Sequence, residues 1–316
     1  MMTTITRELI NPNFYHVTED MDYATLCKRI NKFKHLYISK GLKKGDNISI
    51  GTLTANTNMI ACHFAAWELG IKTFLVNNII LSGDTHFYIE GLKHLMYALD
   101  KTCTDIRADV IHDFNMPIDP NNSGGLTRMD LKNGLYRKIL DAFPPNMSQI
   151  MTMEEVAPMP GTDIQPWEVS PEDNCIQYSE DLAKIKVVSQ AWWPKLLSHE
   201  QILDSVQKYL PDFTQDKVAL SRALHHDFCI DYYFLPALMT ATKIYDINVM
   251  DYTDRKDEQQ ILNFMVDYVN QQIEEKKIER VLVPDYITYD YMKNKKTKPF
   301  SKEVIFNIGK EIVKTH

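Results

Sequence analysis

Residues 41–76 read GLKKGDNISIGTLTANTNMIACHFAAWELGIKTFLV, and this stretch decides the fold class. From Asn47 to Leu53 apolar and polar side chains alternate, which is the period of a strand. Thr57 to Leu69 has helical length and spacing, and Gly70 can take the left-handed conformation that ends a helix. Thr73-Phe-Leu-Val76 reads as the next strand. Strand and helix in alternation point to an α/β layered fold.

The same alternation extends in both directions. Upstream, Leu26, Ile30, Phe33 and Tyr37 recur at helical spacing over about Asp22–Lys40, with Asp22 as the cap and Gly41 as the stop. Downstream, the reading is a helix over about Thr85–Leu99 and a strand at Ala108–Ile111. Strands are expected at Cys175–Ser179, Ile185–Ser189, Val218–Ser221, Ile244–Ile247 and Val281–Pro284. Helices are expected near Glu200–Tyr209, Tyr232–Thr240 and Glu258–Glu275, with further helical patterns after Pro284. The segment Pro158–Pro171 is proline-rich and polar, so the partition is an N-terminal α/β lobe over 1–157, a connector over 158–172 and a second α/β lobe over 173–316. Both lobes can pack as one unit. The expected fold is α/β, with layered mixed sheets flanked by helices.

Composition narrows the function classes. The chain has 316 residues, 44% hydrophobic and 24% charged, with a formal net charge of −7. That charge gives no general attraction for nucleic acid or anionic membrane. The basic run Lys293, Lys295, Lys296, Lys298 reads as a solvated loop. No apolar run reaches the roughly 18 residues of a membrane span. MMTTITRELINPNF carries no signal-type apolar core, so the expected location is the cytoplasm, or a particle assembled there. Five scattered cysteines without a CxxC pair form neither a disulfide framework nor a zinc site. The Asn, Lys, Ile and Tyr bias is compatible with an AT-rich genome, including viral ones.

Several motifs carry a resemblance. Asp22-Tyr-Ala-Thr-Leu26, Gly41-Leu-Lys-Lys-Gly-Asp46 and His63-Phe-Ala-Ala-Trp-Glu-Leu-Gly-Ile71, closing at Asn77, come in order. Met153-Glu-Glu-Val156, Glu168-Val-Ser-Pro-Glu-Asp173, Ser198-His-Glu-Gln-Ile202, Leu224-His-His-Asp-Phe228 with Leu235-Pro-Ala-Leu238, and Ile273-Glu-Glu-Lys-Lys-Ile278 with Val281-Leu-Val-Pro284 follow. Together they resemble the N-terminal portion of the adenylate-forming superfamily of acyl-CoA synthetases and luciferases. The match covers most of residues 22–294 and is loosest between about 80 and 150. It corresponds to the first half to two-thirds of a full family member.

The resemblance also shows what is missing. Family members hold ATP phosphates in a Ser/Thr/Gly-rich loop of the form TSGTTGxPKG, whose small residues let backbone N–H groups wrap the anion. At the matching place this chain reads Tyr178-Ser-Glu-Asp-Leu-Ala-Lys184, without glycine, and Glu180 and Asp181 would repel a triphosphate. The natural reading is a short hairpin turn. A second placement takes Pro194-Lys195 as the PK pair, after Gln190-Ala-Trp-Trp193, which is bulky and equally glycine-free. Ser179, Glu180, Asp181 and Lys195 thus stand as a degenerate phosphate loop. The YGxTE motif, the ribose-binding Asp and the catalytic Lys of the family have no counterparts. ATP binding, a cofactor, a metal and unaided adenylation are therefore not expected.

The resemblance further implies a substrate-pocket remnant at His226, Phe228 and Cys229, with Cys229 standing where the family has glycine. A structural histidine is the competing reading. His225-His226 with Asp231 also approximates the HHxxxD pattern of condensation and acetyl-transfer enzymes, although four residues rather than three intervene and Tyr232 replaces the usual glycine. Trp192-Trp193 reads as core packing or a partner anchor, and Met151, Met153 and Met159 as packing. The leading expectation is a non-catalytic descendant of the family serving as a structural or assembly protein in a multi-protein or viral particle, with a protein partner or self-association. The alternatives are one half of a split acyl- or aryl-activating ligase, and a carboxylate-binding module.

Overall fold

The computed structural model describes residues 3–51, 57–76, 106–111, 149–151, 153–179, 194–212, 217–221, 230, 234–247, 267, 270–271, 273–278, 280–283, 304–308 and 311–315. The chain groups into two units. Unit 1 comprises Met1–Thr6, Cys27–Leu53 and Asn58–Gln201, and unit 2 comprises Arg7–Leu26, Thr54–Thr57 and Ile202–His316.

Unit 1 is built on a six-stranded sheet. Its strands are β3 (Asn47–Gly51), β4 (Lys72–Val76), β5 (Ile106–Ile111), β6 (Gln149–Met151), β7 (Asn174–Ser179) and β8 (Pro194–Ser198), in the order β6-β5-β3-β4-β7-β8. Neighbours pair in parallel from β6 through β7, and β8 closes the edge antiparallel to β7. The first two helices are α1 (Tyr23–Ser39) and α2 (Thr57–Glu68). Asp22 caps α1, its Oδ1 accepting the Thr25 amide at 2.7 Å. Gly41, at φ +77°, and Gly70, at φ +62°, sit just past the two helix ends.

Helix α2 is buried on every side from Thr57 through Glu68. A helix in that position needs apolar residues all round, and Met59, Ile60, Phe64, Ala65, Ala66 and Trp67 supply them. Its polar residues must then find partners inside. Asn58 Oδ1 accepts from Arg29 Nη1 at 2.8 Å, His63 meets Thr73, and Glu68 pairs with the buried Lys34 of α1.

Unit 2 holds a seven-stranded sheet in the order β13-β12-β11-β9-β10-β1-β2. The strands are β1 (Tyr15–His16), β2 (Met21–Asp22), β9 (Lys217–Ser221), β10 (Lys243–Ile247), β11 (Arg280–Val283), β12 (Val304–Ile308) and β13 (Glu311–Thr315). Pairing is parallel from β12 to β1 and antiparallel at both ends. Further helices among the described residues are α3 (Met153–Val156), α4 (His199–Tyr209) and α5 (Leu235–Thr240). Asn11 finishes α5: its amide donates to Leu238 O at 2.8 Å and its side chain to Thr240 O at 3.0 Å. These are carbonyls that a helix end otherwise leaves without partners.

The α/β class and the order of elements agree with the sequence reading wherever both exist. One expected element type fails at the C-terminal end. Over Val304–Ile308 and Glu311–Thr315 the hairpin β12–β13, paired as far as Ile308↔Glu311, stands where helical patterns are expected after Pro284, and residues 284–303 lie outside the described residues. The physical reason lies in the β-branched and aromatic content of Val304, Ile305, Phe306, Ile308, Ile312 and Val313. The expected helix at Thr85–Leu99 and strand at Ile185–Ser189 lie outside the described residues, as does most of the helix at Glu258–Glu275.

Candidate functional site

The hairpin β7–β8 is where the phosphate-loop question is decided, and its root is fixed by a buried polar cluster. The ladder pairs Asn174 with Ser198 and Ile176 with Leu197, so Cys175 is an extra residue on the β7 side. Such a bulge breaks the local hydrogen-bond ladder. The Cys175 carbonyl instead accepts Trp67 Nε1 at 2.9 Å and Thr73 Oγ1 at 3.3 Å. Trp67 Nε1 also reaches Thr73 Oγ1 at 3.1 Å, and His63 Nδ1 lies 3.1 Å from the same hydroxyl. With the hydroxyl proton directed at Cys175, the imidazole is the donor of that last contact. The His63 and Trp67 rings lie 4.9 Å apart. Burial pushes the His63 pKa down to about 3, so the ring is neutral at ordinary pH.

The C-terminal end of β8, at the same root, is fixed as firmly. Ser198 Oγ accepts the Gln201 amide at 3.2 Å, and Gln201 Oε1 accepts the Ser198 amide at 3.0 Å. This reciprocal pair is a capping box, so the Ser198-His-Glu-Gln201 motif has a structural job at the start of α4. His199 Nδ1 accepts the Ile5 amide at 3.1 Å. Burial lowers the His199 pKa to about 4, with Asp173 pulling it up and Lys44 pushing it down. Burial alone would raise the Asp173 carboxyl, but the Lys44 ammonium at 2.7 Å and the Ser170 amide at 2.7 Å hold it below its ordinary value.

Beyond these anchors, at the other end of the ladder, Tyr178 pairs with Lys195 and Ser179 with Pro194. Two residues of the degenerate loop, Ser179 and Lys195, therefore lie in the strands at the mouth of the hairpin. Glu180, Asp181, Trp192 and Trp193 lie outside the described residues. The strand that pairs with β7 starts at Pro194-Lys195, so the link between the strands is residues 180–193 rather than a turn within 178–184. That whole link contains no glycine, and it carries Glu180 and Asp181 against Lys184 and Lys186.

The second candidate region lies in unit 2. Strand β9 has β10 on one side and β11 on the other. The sheet order therefore reverses between β9 and β11, and ligands of open α/β sheets sit beyond the carboxyl ends of strands at such a point. Those ends are Ser221 and Val283. The segment carrying His226, Phe228 and Cys229 leaves directly from Ser221. These three residues, with His225, Asp231 and Tyr232, lie outside the described residues. Among the described residues, no group of three or more His, Cys, Asp or Glu could hold a metal ion, and no helix is long and apolar enough to cross a membrane.

No protein-family profile matches the sequence, and no curated protein matches it. Solved structures do match in fold. One is VinN, with a TM-score of 0.59 at 13% identity over 96% of this chain and 74% of that one. A second is apo MatB from Rhodopseudomonas palustris, with a TM-score of 0.62 at 11% identity over 94% of this chain and 52% of that one. A third is the adenylation domain of a keto acid-selecting NRPS module bound to keto acyl adenylate, with a TM-score of 0.60 at 13% identity over 87% of this chain and 43% of that one.

The chain has the fold of the adenylate-forming enzymes. The three-dimensional likeness agrees with the fold that the motif resemblance implies, at identities too low to carry chemistry across. This chain spans about half the length of MatB and less than half of the NRPS chain. Sequence reasoning missed the Cys175 bulge and its clamp by Trp67 and Thr73. The available signal was Trp67, His63 and Thr73 together in an otherwise apolar stretch.

Proposed function

We propose that this chain is a non-catalytic descendant of the adenylate-forming fold, acting through its surfaces as a structural or assembly protein. The observation that carries this reading is the link 180–193. It joins two well-anchored strands and contains no glycine, with two carboxylates directly after β7. A phosphate cradle needs backbone N–H groups that converge on the anion, and glycines are what let the backbone turn them inward. Carboxylates at the same place add repulsion. The scaffold beneath is intact: the capping box, the bulge clamp and the buried α2 are all in place. Retained packing beside lost chemistry is the pattern expected of a protein kept for binding. Assembly in a multi-protein or viral particle fits this reading, as does a cytoplasmic setting.

A second reading has one observation in its favour, the span of 52% of MatB and 43% of the NRPS chain. In it the chain is one portion of an acyl- or aryl-activating ligase, and the adenine, ribose and lysine sites come from another portion. The segment after β9, with His226, would then line the carboxylate pocket.

Native mass spectrometry and carboxylate-dependent pyrophosphate exchange distinguish the two. The assembly reading expects oligomers or a stable complex and no exchange with any fatty or aromatic acid. A persistent monomer that captures no partner, or exchange by the chain alone, would overturn it.

A further inference from the structure

We infer that residues 155–173 form a detachable strap within unit 1, latched by cationic side chains of α1 and the turn after it and able to open without unfolding the sheet beneath. The strap contains Pro158, Pro160, Pro166 and Pro171 and has no strand or helix between Ala157 and Asp173. Proline removes amide donors and holds the backbone extended, so the carbonyls of such a segment need donors from elsewhere. Most come from side chains of α1 and the turn that follows it, while the Pro171 and Asp173 carbonyls at the C-terminal end accept the Glu200 and His199 amides at 2.9 and 3.2 Å. Lys32 Nζ donates to Ala157 O at 2.6 Å, Lys34 Nζ to Ile164 O at 2.7 Å and Lys44 Nζ to Glu168 O at 2.9 Å. His35 Nε2 lies 3.2 Å from Thr162 O and 3.0 Å from its hydroxyl. The two ends are held by ion pairs, Lys40 with Glu155 at 2.5 Å and Lys44 with Asp173 at 2.7 Å.

The contacts divide into one buried anchor and an exposed row. Lys34 is fully buried and also pairs with Glu68. Lys40 and Lys44 are 26% and 44% exposed, and the Lys32 contact is open to solvent. Charge-assisted hydrogen bonds are the stronger kind, and elements with few buried apolar contacts open below the free energy of global unfolding. The exposed row therefore sets whether the strap is closed. Asp173 is followed at once by Asn174, the first residue of β7. Opening the strap thus releases the segment that leads into the β7–β8 hairpin, independently of what the hairpin binds.

Hydrogen exchange read by mass spectrometry tests this. The Trp167 amide, bonded to Glu68 O at 2.9 Å, reports the strap, and the amides of 57–69 report the core beneath. In a K32Q/K40Q/K44Q variant, strap exchange is expected to rise by about tenfold or more while the 57–69 amides stay within about twofold. The matching Arg variant, which keeps the charge, is expected to restore most of the protection. The single K44Q variant gives the same readout if the triple variant does not fold. Unchanged strap exchange, equal acceleration of strap and core, or no rescue by Arg would each overturn the inference.

Discussion

Acidification should strip stability from unit 1 through His63, and the size of the effect follows from its burial. His63 is fully buried, and desolvation of the charged ring holds its pKa near 3 against an ordinary 6.5. Between those values the unfolded chain binds a proton that the folded chain does not, so stability falls as pH drops through 6.5 and stops falling near 3. At 1.36 kcal/mol per tenfold change in proton binding, the loss from His63 is about 2 kcal/mol at pH 5 and approaches about 5 kcal/mol at pH 3. His199, at about 4, adds a similar loss by pH 5. The assay is urea denaturation at pH 7 and pH 5 on the wild type and His63→Gln. The variant cannot titrate there, so its loss between the two pH values should be about 2 kcal/mol smaller, whatever its offset at pH 7. An imidazole resonance of His63 titrating near pH 6.5 in the folded protein would refute the reasoning. So would equal pH dependence in the two proteins.

Two further predictions test the packing. Lys34→Met leaves the Glu68 carboxylate buried without its ammonium, and a loss of about 3–5 kcal/mol is expected in chemical denaturation. Adding Glu68→Leu should recover most of it, and no recovery would mean that the ion pair is not the source. At Gly70, φ is +62° and an added Cβ would lie 2.9 Å from Lys44 Cγ. Gly70→Ala should therefore cost about 1–2 kcal/mol, and an unchanged midpoint would contradict the left-handed geometry.

Much of the fold was legible because its signals are local. Asp22, Gly41 and Gly70 mark helix boundaries by their own conformational preferences, and the alternation at 47–53 needs no knowledge of the partner strand. The partner of β7 was not legible in the same way. Strand pairing is set by contacts far apart in sequence, and Ile185–Ser189 is as good a local strand as Pro194–Ser198. The C-terminal hairpin was missed for a related reason: Val304–Ile308 becomes a strand only by adding to β11. Pro158–Pro171 was legible as a connector, but not as docked chain. Proline specifies the backbone, whereas the lysines that hold it sit on α1 and the turn after it, more than a hundred residues earlier in sequence. At the candidate site, the loss of glycines was plain in the sequence, while the bulge at Cys175 was not.

Nucleotide affinity tests the central claim most directly. Equilibrium dialysis of ATP with magnesium against the folded chain should show no retention at concentrations up to about 1 mM, a binding free energy weaker than about −4 kcal/mol. Saturable ATP binding below that concentration, lost on mutation of the link 180–193, would contradict the account.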